Sequence, residues 1–170
     1  MAQRIKAVPD TLKEWLKYNH VTGDLIWKKG RGKAKTGAVA GTLIDHGYLQ
    51  LRFDHVNYRC HRICWWLHYG KQPYILDHAN NNKTDNRITN LQEVTDQENL
   101  ILARIRNGKG VFWCNNKTFT KGGFWRATWN TEILYQGPDE QEARQVRAAK
   151  EQQWMAENPH IRMEKHELHT

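Results

Sequence analysis

The chain has 170 residues, a formal net charge of +8 at pH 7 and 39% hydrophobic residues, which suits one ordinary domain or two small ones with modest cores. No stretch approaches the roughly 18 apolar residues of a membrane span, and the N-terminus has no signal-peptide apolar region. The odd set of three cysteines, with no Cys-x-x-Cys pair, argues against a disulfide framework and against a zinc finger.

The protein is therefore expected to be cytoplasmic and reduced, with no membrane association. Its basic excess points to an anionic partner. Nucleic acid fits best, because Lys and Arg are spread along the chain among aromatics, eight of them Trp. A merely soluble basic protein is the plain alternative. Cys60-His61-x-x-Cys64 with His68 has no second ligand pair at finger spacing, so Cys60 and Cys64 are read as small buried residues on a helix.

In chain order, residues 1–9 make a loose start, and Thr11-Leu-Lys-Glu14 has the form of a capping box opening a short helix through Trp15, Leu16 and Tyr18. Thr22-Gly-Asp24 is a turn, Leu25–Trp27 a short strand, and Lys28–Lys35 a basic Gly-rich loop. Tyr48–Phe53 alternates apolar and polar residues, as a strand with one buried face does. Asp54–Asn57 is the next hairpin turn, and a helix is expected over His61–Tyr69, ended by Gly70.

Residues 74–106 carry the clearest chemistry. Ile75 and Leu76 lead into Asp77-His78, followed by a loop dense in Asn, Asp and Lys. Asn90-Leu91-x-x-Val94 makes a second short strand, and Thr95-x-x-Glu98 is a capping box, so Asn99 lies in the first turns of a helix. Asp77 and His78 are neighbours on extended backbone and point to opposite sides. One can hold a cation while the other faces a water. Imidazole is a suitable base near neutral pH. A hard divalent cation takes only one or two carboxylates or carbonyls from protein and fills its shell with water and phosphate. Together these are the parts that phosphodiester hydrolysis needs.

This stretch resembles the HNH (ββα-metal) nuclease family, in particular phage and intron-encoded homing endonucleases in which Asn replaces the last His. The resemblance rests on Asp77-His78, Asp85-Asn86-Arg87, Asn90-Leu91 and Asn99, and extends upstream through His61-Arg62-x-x-x-Trp66 to cover about residues 11–106. It implies His78 as general base, Asp77 and Asn99 as metal ligands, and Asn90 as a brace of the loop that orients His78. It implies that Arg87 holds a loop carboxylate such as Asp85 or touches a phosphate, and makes Arg62 and Lys83 further DNA-contact candidates. The implied cofactor is a divalent metal, Mg²⁺ first, with Mn²⁺ or another divalent ion as alternatives. The implied partner is double-stranded DNA, with no obligate protein partner, acted on by a monomer or homodimer. The implied products carry 5′-phosphate and 3′-hydroxyl ends. Asn99 stands where many relatives have His, which bears on the choice of metal.

After Asn107–Gly110, a linker, strands are expected near Val111–Cys114, Phe124–Trp129 and Glu132–Tyr135, then a helix from Pro138 to about Ala156. Trp125-Arg126-Ala127 and Glu142-Ala143 resemble the plant ethylene-response-factor DNA-binding domain, which phage HNH nucleases also carry. That likeness makes Trp113, Trp125, Arg126 and Trp129 DNA-contact candidates. Trp125, Ala127 and Trp129 share one strand face and Arg126 takes the other, so some of these Trp belong to the core. Tyr135-Gln136-Gly137 departs from the family's apolar-Gly pair, and Asn115–Lys121 lengthens the first hairpin.

The expected fold is α+β: small N-terminal strands plus a ββα-metal motif over 1–106, a three-stranded sheet with one packing helix over 107–158, and a polar, disordered tail over 159–170. The expected activity is metal-dependent DNA cleavage, by nicking or double-strand cutting, guided by the C-terminal module. A DNA-binding regulator with a non-catalytic HNH scaffold is the alternative, and a viral packaging-associated protein a third reading.

Overall fold

The computed structural model describes residues 6–116 and 122–163. The expectations placed on residues 1–5, on 117–121 of the first C-terminal hairpin and on 164–170 of the tail lie outside the described residues. The fold is α+β, with several small antiparallel sheets and four helices among the described residues. It divides into two compact units, one drawn from Met1–Val94 and Arg162–Thr170, the other from Thr95–Ile161.

The first unit opens with α1, Leu12–Trp15, and β1, Leu16–Tyr18. The helix expected through Tyr18 therefore stops after one turn. Thr11 makes no side-chain cap bond, and Leu16, Lys17 and Tyr18 pair with Trp27, Ile26 and Leu25 of β2 (Leu25–Trp27). Aromatic and apolar side chains that fit a half-buried pleat settle this segment as strand, and sheet pairing overrides a local helix signal. β3 (Val39–Ala40) completes this sheet.

A second sheet orders β4 (Thr42–Leu43), β5 (Leu49–Phe53) and β6 (Val56–Arg59). Its hairpin turns on Asp54-His55 alone, at φ 47° and 63°. Both central residues are left-handed, which matches the strand twist in a two-residue loop. Val56 and Asn57, expected in that turn, instead open the strand β6. The helix α2, Cys60–Tyr69, ends at Gly70 with φ 71°, whose amide donates to the Trp66 carbonyl, as the sequence predicts.

Leu12, Leu16, Leu25, Phe53, Cys60, Ile63, Cys64 and Trp66 form the buried centre of this unit together with Leu91. The α2 face thus packs the N-terminal strands and the β8 end of the two-stranded sheet into one core. That sheet pairs β7 (Ile75–His78) with β8 (Leu91–Val94).

The second unit holds α3 (Asp96–Arg106), then a sheet in the order β11 (Glu132–Gly137), β10 (Gly122–Trp129), β9 (Val111–Asn116). Helix α4 (Glu140–Glu157) packs on this sheet and is capped by the Asp139 carboxylate, which accepts from the Gln141 and Glu142 amides. The segment expected to be a disordered tail is ordered in its described part. Ile161 is buried, and Arg162 is bonded to β8 through both backbone and side chain.

Candidate active site

The strands β7 and β8 run antiparallel in the register Asp77↔Gln92 and His78↔Leu91. Directly opposed residues share a face, so Asp77 lies beside Gln92 while His78 points to the other side. Both Asp77 and His78 are buried. Gln92 donates from Nε2 to Asp77 Oδ2 at 2.8 Å. His78 Nε2 lies 3.2 Å from Asn86 Oδ1. Two adjacent ionisable groups are thus oriented by two different amides from two different elements.

The loop between the strands is held by its own polar side chains. Asn90 Oδ1 accepts from the Asn80 amide at 2.9 Å, and Asn90 Nδ2 donates to the Asp85 carbonyl at 2.8 Å. One side chain at the end of the loop therefore ties its start and its middle, beside the backbone bond from the Ala79 amide to the Asn90 carbonyl. Asn80 Nδ2 donates to Asp85 Oδ2, and Arg87 clasps the Asp85 carboxylate through Nε and Nη2. The Arg87 hydrogen bond holds the Asp85 carboxyl below its usual range, against a smaller opposing effect of burial.

The N-terminal hairpin fixes the loop from outside. Gly23 has φ +84°, and a Cβ there would meet the Arg87 amide at 2.7 Å. Tyr18 Oη donates to the Asn86 carbonyl at 2.8 Å. Only glycine lets the chain turn left-handed this close to the loop backbone.

Behind His78 stands an aromatic cluster. The His61 ring meets the His78 ring edge-on at 5.3 Å and 90°, and Tyr48 lies 5.5 Å from His61 and 6.0 Å from His78. Burial pushes the His61 pKa down to about 3, helped by the positive potential of His78, Arg62 and Arg59. His61 is therefore a neutral imidazole packed against the His78 ring.

The chain passes from β8 through Thr95 into α3. Thr95 Oγ1 accepts from the Glu98 amide and Glu98 Oε2 accepts from the Thr95 amide, a complete capping box. Burial alone would raise the Glu98 pKa, but these bonds and the His160 ring bring it below its usual value. Asn99 follows, exposed, in the first turns of the helix and in the second unit. Strand, braced loop, strand and capped helix succeed one another as the motif requires.

Residues 58–101 match the family model of the HNH endonucleases. No curated protein and no solved structure matches the chain. The HNH segment includes His61, Asp77, His78, Asn86, Asn90, Gln92 and Asn99, and implies nuclease activity on DNA with the help of a divalent metal. The match ends inside α3 and leaves the sheet and α4 of the second unit untouched.

Within the HNH segment the expected DNA-contact residues each have a partner in the protein itself. Arg62 donates to the carbonyls of Pro73 and Tyr74, so its charge braces the entry to β7. Lys83 Nζ donates to the His46 carbonyl and sits 4.9 Å above the Tyr48 ring. Arg87 is exposed but paired with Asp85.

In the second unit Trp129 is 8% exposed and packs with Trp154 and under the Arg147 guanidinium. It belongs to the core, and its place on the Ala127 face, against α4, is the reason. Trp113 is exposed and meets the half-buried Trp125 edge-on at 5.5 Å. Arg126 is on the opposite face, its Nη2 donating to Gln136 and its guanidinium over Phe124.

Two residues of the HNH segment carry weight that sequence reading did not assign them. Asn86 was seen only as part of a recurring loop triplet, yet it is 1% exposed and touches His78. Gln92 reads as an ordinary strand residue, and only the register shows that it faces Asp77.

Proposed function

We propose that the chain is a metal-dependent DNA endonuclease of the homing type, phage-encoded, whose HNH site hydrolyses phosphodiesters while the second unit guides it on DNA. The observation that carries this reading is the pairing of Asp77 and His78 at the end of β7, each buried and each held by a separate amide.

In this reading His78 is the general base. With Asn86 Oδ1 as the acceptor, His78 Nε2 carries the ring proton and Nδ1 presents the lone pair. His78 Nδ1 removes a proton from a water, the resulting hydroxide attacks phosphorus, and the bond to the 3′-oxygen breaks. The products are a 5′-phosphate and a 3′-hydroxyl. Asn90 keeps the loop closed so that the ring does not swing. Neutral His61 packs the ring from behind without adding a charge that would make proton uptake harder.

The donors fit a hard cation. Asp77 offers a carboxylate and Asn99 an amide oxygen, and water and substrate oxygens complete the shell of an ion such as Mg²⁺ or Mn²⁺. Among the described residues no group of three or more His, Cys, Asp or Glu is placed to hold a metal ion without such added oxygens. Such an ion, when bound, neutralises charge on the phosphorane-like transition state and on the leaving oxygen.

The second unit supplies binding. Exposed Trp113 and the Trp125 edge offer stacking surface, and Arg126 a cation on the open sheet face. Coupling it to the HNH unit raises the local concentration of DNA at the site. One site cuts one strand, so a monomer nicks.

The test is supercoiled plasmid with Mg²⁺ or Mn²⁺. Wild-type protein relaxes or linearises it, and EDTA stops the reaction. His78→Ala lowers the rate by about 10²–10⁴-fold while retaining DNA binding by gel shift. Equal cutting by His78→Ala would reject the general base.

A further inference from the structure

We infer that Gln92 is a positioning residue for Asp77 and that Arg162 holds it in place; this rests on the metal-ligand reading of Asp77. Gln92 is 4% exposed. Its Nε2 donates to Asp77 Oδ2 at 2.8 Å and to the Arg162 carbonyl at 3.0 Å, and its Oε1 accepts from the Arg162 amide at 2.7 Å.

A side-chain amide can sit in either of two flips, and the partners here allow only one. The Arg162 backbone N–H can only donate, so the end it faces must be Oε1. The carboxylate of Asp77 accepts, so the end it faces must be the NH₂ group. The two-bond pairing with Arg162 copies a strand ladder between side chain and main chain. It leaves Gln92 no freedom to turn its donor away from Asp77.

Arg162 is itself anchored beside that pairing. Arg162 donates from its guanidinium to the carbonyls of Thr89 and Leu91, which flank Asn90. A residue far along the chain thus fixes, through Gln92, the outer bonding of the Asp77 carboxylate. A carboxylate held in this way meets an ion at a set angle. Partners of this kind commonly alter metal affinity by about 10–100-fold.

The experiment is titration calorimetry of the full chain with Mn²⁺, without DNA, alongside single-turnover cleavage and circular dichroism. Gln92→Leu keeps the shape but removes the donor. It should weaken Mn²⁺ binding by about 10–100-fold and slow cleavage at fixed Mn²⁺, with KM for DNA unchanged and rescue at high Mn²⁺. Arg162→Ala retains the backbone pairing and should shift Mn²⁺ affinity in the same direction by less. Wild-type Mn²⁺ affinity in a folded Gln92→Leu protein, where Asp77→Asn abolishes binding, would overturn the positioning role alone. If Asp77→Asn binds Mn²⁺ as wild type does, the metal-ligand reading falls and takes this inference with it. Should Gln92→Leu not fold, the Arg162→Ala titration decides: an unchanged affinity overturns the inference.

Discussion

Asn86 Oδ1 lies 3.2 Å from His78 Nε2, and both side chains are almost wholly enclosed. A buried amide facing a buried imidazole sets both the ring's plane and its tautomer. Replacing Asn86 by Ala should lower kcat by about 10-fold or more, with little change in KM for DNA, because the ring loses its guide while the binding surface is untouched. The same change should destabilise the fold by about 1–3 kcal/mol, because partners of a buried amide lose their bonds. Single-turnover kinetics and urea unfolding separate the two effects. A variant with wild-type kcat would show that Asn86 does not orient the base.

The two capping-box sequences make a matched pair. Thr95 and Glu98 exchange their bonds, whereas Thr11 forms no cap bond at all. Thr95→Ala should cost about 1 kcal/mol of stability, and Thr11→Ala should stay within about 0.5 kcal/mol of wild type. Chemical denaturation of both variants checks this, and equal losses would contradict it.

That contrast also shows how far local sequence carries. The cap at Thr95 was legible because Thr95 and Glu98 lie three residues apart, and the strands that carry Asp77, His78 and Leu91 were legible from local patterning. The α1 end was not, since Leu16–Tyr18 answer to Leu25–Trp27 across a turn. Gln92 and Arg162 were out of reach for the same reason on a larger scale, being 70 residues apart. Trp129 and Trp125 share a strand face, yet only the first is buried. Which Trp the core takes depends on where α4 lies on the sheet. Asn86 was visible as a loop residue, but its use emerged only once the loop was folded back on His78.

Stability should depend on His61. The unfolded imidazole titrates near 6.5, while burial, with the positive potential of His78, Arg62 and Arg59, pushes the folded pKa down to about 3. Below pH about 6.5 the unfolded chain takes a proton that the fold refuses. The contribution is full above that value and is lost as pH falls toward 3, at no more than about 1.4 kcal/mol per pH unit. Thermal unfolding between pH 7.5 and 5 should show this loss, and His61→Gln should flatten it. A variant as pH-sensitive as wild type would place the dependence elsewhere.

In the second unit the aromatic and basic residues should divide by face. Trp129→Ala opens the core and should cost about 3–5 kcal/mol in stability. Arg126→Ala should leave stability nearly unchanged but weaken DNA binding. It should also reduce the slope of log K against log salt by about one if Arg126 meets a phosphate. Fluorescence anisotropy over a salt series gives the slope, and an unaltered slope and affinity would remove Arg126 from the DNA-contact set.

In the proposed site Asp77 and Asn99 hold one divalent ion beside His78 against a DNA phosphate. The most direct measurement is anomalous scattering from Mn²⁺ in crystals of the His78→Ala protein with DNA. One Mn²⁺ peak is expected, bonded to the Asp77 carboxylate, the Asn99 amide oxygen and a phosphate oxygen, facing position 78. A Mn²⁺ peak at other residues, or DNA bound with no ion touching Asp77, would contradict it.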